Sequence, residues 1–134
     1  MFLVDTSIWI HALRPRGNRN IQEKLRPLIL ARQAALTEWI VLELMTGIRS
    51  TEEYKALSTF LAPVPRLPIN LTCWESAYKL VADLRKKGTT PSAADSIIAA
   101  VSIHHEVPLI HLDEDFVRMV PHTKLEEIDW SGYL

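Results

Sequence analysis

Short unbroken apolar runs alternate along this chain with stretches in which apolar residues recur every three or four positions. Phe2-Leu3-Val4 is such a run, with the β-prone character of a central strand buried on both faces, as found in parallel sheets covered by helices. Ala34 to Thr37, Pro108 to Leu112 and Leu125 to Ile128 read as further strands, and a short one between Val64 and Ile69 fits among Pro63, Pro65 and Pro68. Helical spacing fills the intervals. Ser7 can cap a helix running toward Leu13, and a second, disturbed near Pro27, begins at about Ile21. Others cover Trp39 to Ile48 and the stretch opened by Thr51. A long helix from about Thr72 to Lys87 carries the stripe Trp74, Ala77, Tyr78, Val81 and Leu84, and Gly88 stops it. Pro91 to Asp95 begins a helix reaching about His105, and a short one surrounds Phe116 to Val120. Alternating strands and helices without repeat or long linker predict one three-layer α/β/α domain over residues 1–134, with a mainly parallel central sheet.

Size agrees with that reading, because 134 residues and 15.3 kDa suit a single core. A hydrophobic content of 48% with mean hydropathy +0.05 predicts a soluble protein. No run approaches the roughly 20 apolar residues of a membrane span, and the opening run is too short for a signal peptide. The expected location is cytoplasmic, without a membrane partner. Cys73 is the only cysteine, which excludes intramolecular disulfides and cysteine-based zinc sites. The net charge is −1, but basic residues are unevenly placed. Arg14, Arg16, Arg19, Lys24, Arg26 and Arg32 face only Glu23 between residues 14 and 32, and Arg85-Lys86-Lys87 form a second cluster. Either cluster alone reads as a solvated face.

The acids change the picture. Asp5 stands directly after the first strand, at the edge where open α/β sheets bind ligands, though it, Thr6 and Ser7 are all able to cap the next helix. Glu43 has Ile40, Val41, Leu42, Leu44 and Met45 around it, which predicts a helix buried on all sides, where an unpaired carboxylate costs several kcal/mol. Arg49 is six residues on, so the expected partner is a metal ion or a tertiary contact, a buried salt bridge being the alternative. Asp95 fits a capping box, Ser92-x-x-Asp95, but a first-turn carboxylate also reaches a cleft at the sheet's edge. Asp113 follows Leu109-Ile110 as Asp5 follows Leu3-Val4, and the two become neighbours if their strands flank the topological switch point.

Four converging carboxylates without basic partners repel one another, and a hard cation such as Mg²⁺ or Mn²⁺ relieves this. Such an ion polarises a phosphodiester and activates water. Setting these four acids aside leaves fifteen basic residues against twelve acidic ones, a net +3 suited to a nucleic-acid substrate.

Taken together, Asp5-Thr6-Ser7, Glu43-Leu44-Met45-Thr46-Gly47, Pro91-x-x-x-Asp95-x-Ile97-Ile98-Ala99-Ala100 and His111-x-Asp113-x-Asp115-Phe116 resemble the PIN-domain family over nearly the full length. Within it the chain is most similar to the VapC toxins of type II toxin–antitoxin pairs. The resemblance implies a Mg²⁺- or Mn²⁺-dependent endoribonuclease, a homodimer, inhibited by a VapB-like antitoxin whose C-terminal segment lies over the active-site groove. It also implies that Asp5, Glu43, Asp95 and Asp113 are the catalytic and metal-binding quartet, Asp5 and Asp95 foremost. Thr6 or Ser7 matches the family's hydroxyl beside the first acid and would orient a carboxylate or a water. His111 stands where many members have Thr or Ser, and Asp115 is an additional acid at the rim or supporting the short helix. His104 and His105 are read as helix C-terminal residues, not ligands. Arg14, Arg16, Arg19, Arg85, Lys86 and Lys87 are the candidates for guiding the RNA backbone. Trp9, Trp39 and Phe60 belong to the core or line a groove for the antitoxin or a second subunit.

Three rivals stand beside this reading. A PIN-fold nuclease of RNA maturation or DNA is the nearest. A receiver-like Mg²⁺-binding signalling domain would need a cation after a late strand, where this chain has Asp113-Glu114-Asp115, and a phosphatase with an N-terminal Asp nucleophile would need a second Asp where Ser7 stands.

Overall fold

The apolar run Phe2–Val4 forms β1, with Leu3 and Val4 inaccessible to solvent. In the computed structural model, which describes residues 1–134, α1 (Thr6–Leu13), α2 (Arg19–Leu30), β2 (Ala34–Ala35), α3 (Glu38–Met45), α4 (Thr51–Leu61), α5 (Leu71–Lys86), α6 (Ala93–His105), β3 (Leu109–His111), α7 (Glu114–Met119) and β4 (Glu127–Asp129) follow in order. The sheet has the order β2-β1-β3-β4 and every pairing is parallel. Leu3 lies opposite Ala35 on one side and Leu109 on the other. Because β2 and β3 flank β1 on opposite sides, the topological switch point falls between β1 and β3. Helices cover the sheet in a three-layer α/β/α arrangement, with α5 packed along α6 and α1 against α2 and α3. Trp9, Ile8, Phe116, Ile97 and Ile98 fill the core, and the Trp9 indole donates to the Val4 carbonyl at 2.9 Å. No helix is long and apolar enough to cross a membrane.

Several elements differ from the sequence reading, each for a local reason. Val64 to Ile69 forms no strand. Leu36 donates to the Pro65 carbonyl and Leu67 to the Leu36 carbonyl, and this single parallel bridge stops there. Pro65 and Pro68 have no N–H with which to extend it. Pro27 does not interrupt α2, whose buried Ile21 and Leu25 anchor one face and whose Asn18 side chain caps the start. Asp5, and not Ser7, caps α1. The buried stripe of α5 is Cys73, Ala77, Leu80 and Leu84, while Tyr78 is 64% exposed, so the helix is rotated from the predicted stripe. Gly88 ends that helix as expected, with φ +82, a conformation that side chains with a Cβ adopt at a cost.

Candidate active site

The carboxyl ends of β1 and β3 are stitched together by backbone and side chain. Asp5 N–H donates to the Ile110 carbonyl at 2.9 Å. One carboxylate oxygen of Asp5, Oδ2, accepts from both the Ser7 N–H (3.1 Å) and the Ser7 hydroxyl (2.6 Å). The same hydroxyl accepts from Leu112 N–H at 3.3 Å, bridging the two strand ends. Asp5 is therefore a helix cap and an acid at the switch point at once. Thr6 points elsewhere: its hydroxyl donates to Glu43 Oε1 at 2.7 Å and ties α3 to α1.

Glu43 is only half-buried, and the prediction of an α3 buried on all sides is overturned. Ile40 and Leu44 face the core, but Leu42 is 59% exposed, so the helix has an ordinary apolar stripe. The partner of Glu43 is the Thr6 hydroxyl, and no Lys or Arg pairs with it.

Asp95 occupies the first turn of α6, which Ser92 caps by accepting from Asp95 N–H at 3.0 Å. Asp113 caps α7, its Oδ1 accepting from Asp115 N–H at 2.9 Å. Carboxylate oxygens of Asp95, Asp113 and Asp115 lie within 4.8 Å of one another. Asp115 also accepts from Arg118 at 2.8 Å on the exposed side of α7. Beneath them sits His111, fully buried at the end of β3. Its Nδ1 accepts from Asp113 N–H at 3.0 Å and its Nε2 faces Glu127 Oε2 at 2.6 Å, which places the ring proton on Nε2. His111 thus holds the backbone of Asp113, a role different from that of a hydroxyl in its place.

Electrostatics bind the acids into one unit. Burial pushes the Asp5 carboxyl above its usual range, opposed by the Ser7 hydroxyl and the N–H groups at the start of α1. Glu43 is raised by burial and by the Asp5 carboxylate, with the Thr6 hydroxyl opposing. Asp95 is pushed up to about 6, first by burial and then by Asp113 and Asp5, with Asp115 adding to them. Asp5, Glu43, Asp95 and Asp113 make no ion pair. A set of hard oxygen donors gathered without a counter-cation, two of them raised by neighbouring carboxylates, fits Mg²⁺ or Mn²⁺, which take carboxylates and leave room for water and phosphate.

The basic candidates divide. Arg14 lines a groove of about 650 Å³ between α1, α3 and α4, with Ile10, Leu13, Leu44 and Phe60, and Glu43 forms its edge toward the acids. Arg16 is exposed in the adjoining loop, whose Gly17 is obligatory because a Cβ there would lie 1.8 Å from the His11 carbonyl oxygen. Arg19 is taken up by Glu23 at 3.2 Å. Arg85, Lys86 and Lys87 are exposed at the end of α5, joined by a short connection to the first turn of α6. Trp9 is core, Trp39 stacks edge-on against Trp74, and Phe60 remains 41% exposed in the groove. Glu127 escaped the sequence reading entirely. It lies in the edge strand, and only the register His111 to Asp129 brings its neighbour under the acids.

The PIN domain family profile matches residues 2–120. The chain belongs to the PIN-domain family. Among characterised relatives, ribonuclease VapC21 of Mycobacterium tuberculosis is 30% identical over 133 residues, which cover 96% of this chain and 92% of the relative. Two solved structures share the fold of this PIN domain. DNA-bound VapBC from Salmonella typhimurium superposes with TM-score 0.80 at 18% identity, covering 96% of this chain and 97% of that one. VapBC-1 from nontypeable Haemophilus influenzae gives 0.76 at 22%, covering 97% and 98%.

Proposed function

We propose that this PIN-domain protein is the toxin of a VapBC-type pair, an endoribonuclease that hydrolyses RNA phosphodiester bonds with the help of Mg²⁺ or Mn²⁺ in the cytoplasm. The observation that carries the reading is the convergence of Asp5, Asp95 and Asp113 at the switch point with no cation opposing them. The VapC relatives supply the substrate class, since their names describe ribonucleases.

In this reading Asp5, Glu43, Asp95 and Asp113 hold the metal, which when bound polarises the phosphodiester and activates water. The other residues fix the geometry of the acids. Ser7 pins one oxygen of Asp5, Thr6 turns Glu43 inward from α3, and His111 fixes the Asp113 backbone. Asp115, tethered by Arg118, stands at the rim beside Asp95 and Asp113. Arg14 and Arg16 beside the groove, and Arg85 to Lys87 at the end of α5, are placed to attract an RNA backbone. Arg19 contributes least, because Glu23 neutralises it. The groove edged by Glu43 is the seat we assign to a segment of a VapB-like antitoxin, and we expect a homodimer, which light scattering at micromolar concentration checks.

The decisive experiment incubates antitoxin-free protein with RNA and with DNA of matched sequence, in Mg²⁺, Mn²⁺ or EDTA, beside Asp5→Asn and Asp95→Asn. RNA fragments that need metal and vanish in both variants establish the activity. DNA cleavage alone, or cleavage in EDTA, refutes it.

A further inference from the structure

At the far end of α6 the structure gathers three donors of a different chemistry. Cys73 lies fully buried in the first turn of α5, and His104 and His105 are the last two residues of α6, where the two helices pack together. One donor atom from each of the three lies within 4.8 Å of the others. Counting cysteines, which excluded a cysteine-based zinc site, overlooked that two histidines complete this set.

The hydrogen bonds around the histidines fix their tautomers and leave His105 Nδ1 free. Asn70 caps α5 with its Oδ1, which accepts from Cys73 N–H at 3.0 Å. Its Nδ2 is thereby left as the donor, and it meets His104 Nε2 at 3.2 Å, a neutral hydrogen bond that a metal ion at that nitrogen would displace. His105 Nε2 lies 2.8 Å from the Pro68 carbonyl, which only accepts, so its proton sits on Nε2 and the lone pair on Nδ1. A ring nitrogen tied to a backbone carbonyl is the arrangement that orients metal-binding histidines. Cys73 Sγ lies 3.9 Å from the same carbonyl, a weak contact for a thiol to give up.

We propose that Cys73, His104 and His105 form a site for one borderline-soft transition-metal ion, Zn²⁺ being the representative, which clamps α5 to α6. One sulfur and two nitrogens select Zn²⁺ or Co²⁺ and reject Mg²⁺, the reverse of the acidic cluster. Tetrahedral zinc sets such donors roughly 3.5 Å apart. Closing the present spread asks about 1 Å of movement, which the exposed His104 supplies by rotation. The fourth position opens to solvent on the His104 side. Asp95 and His104 are nine residues apart on one helix, about 14 Å along its axis, so the two sites are separate.

The test uses the full chain with excess Mg²⁺ occupying the acids. Zn²⁺ is titrated into wild type, Asp95→Asn, Cys73→Ser and the surface variant His104→Ala, with circular dichroism confirming each fold. One Zn²⁺ per chain is expected in wild type and in Asp95→Asn, with affinity at least about 100-fold weaker in Cys73→Ser and His104→Ala. Co²⁺ should give a sulfur-to-metal charge-transfer band in wild type and Asp95→Asn that Cys73→Ser lacks. Zn²⁺ binding that disappears in Asp95→Asn, or that is unchanged in both Cys73→Ser and His104→Ala, overturns the proposal whether or not the protein cleaves RNA.

Discussion

The two ends of α6 carry polar clusters built on opposite principles. At its first turn Asp95 joins Asp5, Asp113 and Asp115, whose like charges add to burial in raising its pKa. At its last turn His104 and His105 meet Cys73, donors without like-charge conflict whose hydrogen bonds are met within the chain by Asn70 and Pro68. The first cluster carries like charges that a cation would relieve, whereas the second is at ease without one. Strain of this kind marks functional sites more often than structural ones.

The largest effect should come from breaking the acidic end. Asp5→Asn or Asp95→Asn should lower RNA cleavage by about 10³-fold or more, the several kcal/mol that metal-assisted catalysis supplies, measured by fragment release at saturating Mg²⁺. Next, His111→Ala should cost about 2–4 kcal/mol in denaturant unfolding, because it opens a cavity in a fully buried strand and leaves Glu127 and Asp113 N–H without partners.

The pH dependence of metal-free stability sharpens the contrast. Asp95 rises from 3.8 unfolded to about 6 folded, so between those values the folded state binds more protons than the unfolded one. Stability contributed by this group is present at low pH and lost as pH rises through about 6. In EDTA the protein should gain up to about 1 kcal/mol from pH 7 to pH 5 through Asp95, a value discounted for its partial exposure. Asp95→Asn should flatten that part of the profile, and saturating Mg²⁺ at pH 7 should recover the loss, both read by thermal unfolding at fixed ionic strength. Smallest of all, Arg118→Ala removes exposed ion pairs to Asp115 and Glu114 and should change stability by less than about 0.5 kcal/mol.

What could be foreseen in the chain follows the range of the interactions concerned. β1 and β3 are short apolar runs ending in carboxylates, so both strands were legible from local pattern, whereas their adjacency, on which the nearness of Asp5 to Asp113 was conditional, came with the sheet order. Local pattern does not separate a cap from an acid at the switch point, because Asp5 caps α1 and also stands where β1 and β3 end, sharing Ser7 with Leu112. Apolar neighbours of Glu43 in sequence are not its neighbours in space, since Leu42 faces solvent, and that is why burial on all sides does not follow from the pattern. The stripe on α5 was misplaced because Trp74 and Tyr78 are large, yet the small Cys73 and Ala77 permit the close approach of α6. His111 with Glu127, and Cys73 with His104, depend on strand register and helix packing between distant segments, for which no spacing rule exists.

The bond from Leu112 N–H to the Ser7 hydroxyl joins residues 105 positions apart, and Asp113 follows Asp5 by 108. On the ribosome Asp5 and Glu43 are therefore made long before the acid that completes their cluster. At the usual pace of synthesis the interval is roughly 5–20 seconds. A nascent chain lacking β3 has no strand against which β1 can set its acids, so it carries no assembled cluster. Activity would thus wait until β3 has been made, and a chain truncated before β3 would be inert.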